Sequence, residues 1–147
     1  MIRNSVVLAC VFALLLSAAP VAQAADLETD RLVAHELLWQ EATAAVLSVA
    51  ALRDVAVVPL DKLQPAQARL ERAVVQLINS QPPAQLLPDH LLLLPLVQEV
   101  TAAARAAVDA RQAGDKPGIA SSQAWLDASL SQLAAAVKIR RPTAGTR

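Results

Sequence analysis

From Leu27 to Val137 the apolar residues return every three or four positions, and the only interruptions are short breaks marked by proline. That spacing gathers apolar side chains on one face of a helix and scatters them over both faces of a strand. The chain has three glycines and 2% aromatic residues, with Ala and Leu filling the apolar positions, so a sandwich or barrel has little to build on. A 55% apolar content excludes disorder. Equal numbers of basic and acidic residues, 13 of each, argue against an electrostatic nucleic-acid binder.

Residues 1–24 read as a secretory signal peptide. Arg3 supplies a positive start, Val6 to Leu16 an apolar run, Pro20 a break, and Ala22-Gln23-Ala24 the small residues a signal peptidase needs. Cleavage is expected after Ala24. The wider apolar stretch from Val6 to Ala22 is at the lower limit for crossing a bilayer and carries Pro20, so no stable membrane span is expected after processing. The remaining chain would lack Cys, since Cys10 is the only one, and could not use disulfides. The expected location is periplasmic or extracellular.

Residues 25–141 divide into four helical segments. The first is expected from Leu27 to Ala56, with Leu27, Ala34, Leu38, Ala45, Val49 and Leu52 inward and Pro59 ending the segment. Its stretch Ala42–Ala51 is apolar nearly all round, so contact on more than one side is expected. The second begins near Asp61 or Gln64, with Pro65 in its first turn, and ends near Ser80. Its stripe is Leu63, Ala66, Leu70, Ala73, Val74, Leu77 and Ile78, while Arg69, Glu71 and Arg72 point away. The third spans Pro88 to Ala113, closed by Gly114, with Leu91, Leu94, Val97, Thr101, Ala104 and Val108 on one face. Pro95 predicts a kink or a restart near Leu94. The fourth spans Ile119 to Arg140, capped by Ser121, with Ile119, Leu126, Leu130, Leu133 and Val137 inward. Short connections make successive helices antiparallel, giving an all-α, up-down-up-down four-helix bundle with a long first helix. Residues 142–147 read as a disordered tail.

Leu63-Gln64-Pro65-Ala66-Gln67 is similar to the LTxxQ signature of small periplasmic helical proteins of envelope stress and metal sensing, with Gln64 where that signature has its capping Thr. The likeness covers these five residues and implies a helix start there.

Chemistry-bearing residues are few. His35 falls at the edge of the first stripe and His90 in the first turn of the third helix, both expected as solvated boundary residues at one end of the bundle. A metal there would draw on His35, His90, Glu28 and Asp89, but the chain has no HxxxH or HExxH spacing. Covalent haem needs CxxCH, which is missing; bis-histidine ligation by His35 and His90 is the remaining haem option. No G-x-S-x-G and no glycine-rich phosphate loop can be formed from Gly114, Gly118 and Gly145. No catalytic residue and no cofactor is therefore expected. Trp39 and Trp125 are expected across the first and fourth helices with each N–H partnered, or as anchors for a partner protein. The run Leu86–Val97, with Leu91–Leu94 at its centre, holds more apolar residues than one helix face can bury, so Leu92 and Leu93 join them as partner-binding candidates; burial in the core is the favoured reading. The expected function is binding, foremost of another envelope protein. The alternatives are a metal or haem at the histidines and an apolar ligand carried near Pro95.

Overall fold

A computed structural model describes the backbone of residues 3–140 and the side chains of residues 26–138. It is all-helical: α1 (Arg3–Ala51), α2 (Leu60–Asn79), α3 (Leu87–Ala113) and α4 (Lys116–Arg140), with no strand among the described residues. The side chains of the expected signal peptide and the expected tail at 142–147 lie outside the described residues. Two compact units are distinguished, Met1–Ala34 and His35–Arg147. In the first, Leu27 and Val33 are exposed, as is Ala34. Leu27 and Ala34 therefore do not continue the buried stripe, which begins at His35.

The second unit holds the core. α1 ends at Ala51, five residues short of the expected end, because the β-branched run before Pro59 turns instead: the Val57 and Val58 N–H groups both donate to the Asp54 carbonyl. α2 starts at Leu60, where the Pro59 carbonyl accepts from Lys62 and Leu63. Pro65 and Gln64 thus lie inside the helix, and Gln64 does not cap it. At the far end Ser80 is extended, and both its N–H and its hydroxyl donate to the Leu77 carbonyl, satisfying a terminal acceptor twice.

α3 runs through Pro95 as one helix, so no restart occurs at Leu94. It ends at Gly114, whose φ of +66° suits a residue without a Cβ. The Gly114 and Asp115 N–H groups return to the Arg111 and Ala110 carbonyls, a Schellman closure. α4 then begins at Lys116, three residues early, with Pro117 in its first turn, where a missing N–H costs nothing. Ser121 does not cap it; its hydroxyl donates to the Gly118 carbonyl inside the helix.

The core is small-residue rich. Ala42, Ala45 and Val49 of α1 and Val100, Ala103, Ala104 and Ala107 of α3 are at or near zero exposure. They are joined by Leu63, Leu70 and Leu77 of α2 and Leu126 of α4. Alanine faces let helices approach closely, so much of the cohesion is dispersion between nearby backbones rather than burial of bulky side chains. Ile78, Leu91 and Val137, expected inward, are exposed. α3 passes the length and hydropathy criteria for crossing a membrane, but its face from Val97 to Val108 is buried against the other helices.

Polar links join the helices. Arg69 of α2 grips both carboxylate oxygens of Glu41 on α1, at 2.7 and 3.0 Å. Arg105 of α3 donates to Glu71 of α2 at 2.6 Å. Arg69 and Glu71 therefore reach across between helices instead of pointing away. Arg111 donates to the Ala56 and Val58 carbonyls, and Gln123 of α4 accepts from the Val55 N–H at 2.8 Å. Together they tie down the α1–α2 turn, whose carbonyls and N–H groups no helix can satisfy.

Candidate functional site: a histidine pair beside an apolar groove

The most polar buried cluster is built from three helices. His35 is in α1, Ser80 closes α2, and His90 enters α3 one turn after Leu86, whose carbonyl accepts the His90 N–H. The two imidazole centres are 5.1 Å apart, tilted by 41°. Trp39, one turn after His35, sets its indole edge-on to both, at 6.5 Å from His35 and 6.0 Å from His90. The histidines are not solvated boundary residues: His35 is 2% and His90 6% exposed. A helical wheel puts His35 at the edge of a stripe, but Ser80, Trp39 and His90 close over it.

The hydrogens of this cluster can be placed by elimination. The Trp39 indole N–H can only donate, and it donates to His35 Nε2 at 3.1 Å. Nε2 is therefore a lone pair and the ring proton sits on Nδ1. That N–H faces the Ser80 oxygen at 3.3 Å, while the Ser80 hydroxyl is committed to the Leu77 carbonyl at 2.7 Å. Every donor from Trp39 to Leu77 thus has one acceptor, with His35 neutral. His90 Nδ1 is buried without a hydrogen-bond partner. Burial holds both imidazoles below the usual histidine range, and for His35 the neighbouring His90 adds to the effect.

Adjacent imidazole ligands of a tetrahedral ion stand about 5 Å apart, given metal–nitrogen bonds of about 2 Å. The 5.1 Å pair therefore meets one requirement of a metal site. No group of three His, Cys, Asp or Glu residues suited to a metal occurs among the described residues. Glu28 is exposed and belongs to the other unit, and Asp89 is half-buried beside His90 in sequence. A haem between the two histidines would need ligating rings on opposite faces of the macrocycle, with centres about 6 Å apart. Rings packed at 5.1 Å leave no such slot, so bis-histidine haem ligation does not fit.

Trp39 also opens onto a groove of about 970 Å³. One wall is α1, through Trp39, Thr43, Val46, Leu47 and Ala50; the other is α4, through Gln123, Asp127, Leu130, Ala134 and Val137. Leu93 and Val97 of α3 line it as well. Each wall is a stripe at spacings of three and four, so the groove follows two helices for about 20 Å at about 1.5 Å per residue. Leu47 is 63% exposed, so one side of the apolar stretch Ala42–Ala51 is open to the groove. Trp125 is outside the groove: it is exposed, and its N–H donates to Glu99 of α3 rather than reaching α1. Leu91 and Leu92 are exposed and Leu93 half-buried, while Leu94 packs partly buried against the core, so the leucine run is only partly core.

Nothing in the sequence pointed to Ser80 as a histidine partner or to Leu47 as an open position. The surplus of apolar residues in Ala42–Ala51 was the one available signal for the groove. No protein-family model, curated protein or solved structure matches this chain.

Proposed function

We propose that the chain is an exported, non-catalytic up-down-up-down bundle that binds an amphipathic helix of another envelope protein in the α1–α4 groove. The groove carries this reading. Its volume, spread over about 20 Å, gives a cross-section about half that of a helix with its side chains, the share a docked apolar face would occupy. Its charged positions are mixed, Arg53 and Lys138 against Asp54 and Asp127, which suits a helix with paired charges better than an anionic lipid headgroup. Export rests on the Arg3, Val6–Leu16 and Ala22-Gln23-Ala24 pattern. The antiparallel order is supported by two sets of contacts: Ser80 and His90 meet His35, while Arg111 and Gln123 meet the α1–α2 turn.

Isothermal titration with a synthetic amphipathic helical peptide bearing a leucine stripe tests the proposal. Saturable binding is expected, and Leu47→Asp abolishes it without loss of helical circular dichroism, because Leu47 is outside the core. Binding of a fluorescent fatty acid in place of the peptide would convert the protein to an apolar-ligand carrier. Dimerisation by light scattering, abolished by Leu47→Asp, would make a second copy the occupant.

A further inference from the structure

The histidine cluster and the groove share one side chain. Trp39 contributes its ring to the groove wall and its N–H to His35 Nε2. Because Nδ1 of His35 already carries a proton toward Ser80, a second proton can enter only at Nε2, where the indole N–H already points. Two donors would then face each other in a site with almost no solvent, and the indole must leave. We propose that His35 and Trp39 form a proton-driven latch: neutral His35 holds Trp39 in the groove wall, and protonation releases it and weakens the docked helix. This inference rests on the groove-binding reading and supplies its regulation.

The surroundings favour a latch over a static hydrogen bond. On α1, Glu36 follows His35 but is exposed; from the end of α2 only the Ser80 hydroxyl faces the ring. On α3 the facing group is His90, a base that opposes the charging of His35, with Asp89 next to it in the first turn. On α4, the charged groups lining the same groove as Trp39 are Asp127 and Lys138, of opposite sign. Imidazole is the side chain that changes charge nearest neutrality, so an acidifying compartment would supply the signal.

The test uses the full chain carrying Trp125→Phe, which leaves Trp39 as the only tryptophan, and the leucine-stripe peptide as probe. Trp39 emission and peptide affinity are followed from about pH 8 to about pH 5, the range imidazole titrates. Emission should shift to the red and affinity fall about fivefold, the worth of roughly one hydrogen bond. Both midpoints should lie below the ordinary histidine value. In His35→Gln, whose amide oxygen accepts from Trp39 but takes no proton, both responses vanish. In His90→Gln they persist with the midpoint moved up, because the opposing base is gone. An unchanged response in His35→Gln, or constant emission in the parent, overturns the latch. Red-shifting emission with no peptide binding at any pH overturns the groove reading and leaves the Trp39 movement standing.

Discussion

The two ends of the helical unit solve one problem with opposite chemistry. At one end, Arg111 and Gln123 satisfy the orphaned backbone groups of the α1–α2 turn. A guanidinium and an amide keep their states across the physiological range. At the other, Trp39, His35 and Ser80 pass hydrogen bonds from an indole to the Leu77 carbonyl, and that chain holds only while His35 is neutral. The first end is fastened at every ordinary pH. The second is fastened conditionally, beside the α1–α4 groove.

Deleting core volume should ignore this difference. Leu63→Ala and Leu77→Ala both empty fully buried sites on α2, and each should cost about 3 kcal/mol in urea unfolding. A much smaller cost for Leu77→Ala would mean that the histidine end is loosely packed rather than conditionally bonded. Arg111→Met should cost less, about 1–2 kcal/mol, by stripping donors from the Ala56 and Val58 carbonyls. That loss should be the same at pH 5 and pH 8, each about one and a half units from the histidine reference.

Acid separates the ends. Both histidines have lowered folded-state pKa values, so below the unfolded value of about 6.5 the unfolded chain binds protons that the folded chain refuses. Stability is therefore full above that value, falls as pH drops through it, and levels off below the lowered folded values. Urea midpoints measured across this range should show the slope in the parent and lose it in the His35→Gln, His90→Gln double variant. The smallest effect belongs to Glu41→Gln, which weakens an ion pair open to solvent. Its change in urea midpoint should approach zero in high salt, whereas the histidine slope should survive because buried groups are little screened.

The helices were legible because prolines and a left-handed glycine punctuate them: Pro59, the Pro82-Pro83 pair and Gly114 stand at the breaks found. Periodicity identified which face of α2 is apolar, and five residues from Leu63 to Val74 on that face are buried as expected, but Ile78 is not. A repeat of three and four shows that a face exists. It does not show how far a neighbouring helix reaches along it, which is why Leu27, Leu91 and Val137 are exposed. The site was less visible. His35 and His90 stand out in the sequence, yet the burial of His35 depends on Ser80, which is 45 positions away and sits in a break. Arg111 was equally hidden, since the carbonyls it serves are free only because α1 stops at Ala51.

The most direct measurement is the nitrogen NMR spectrum of the two imidazoles at near-neutral pH. Two neutral rings are expected, with His35 protonated on Nδ1 and its Nε2 coupled to the Trp39 indole proton. A His35 ring protonated on Nε2, or an imidazolium at that pH, would contradict it.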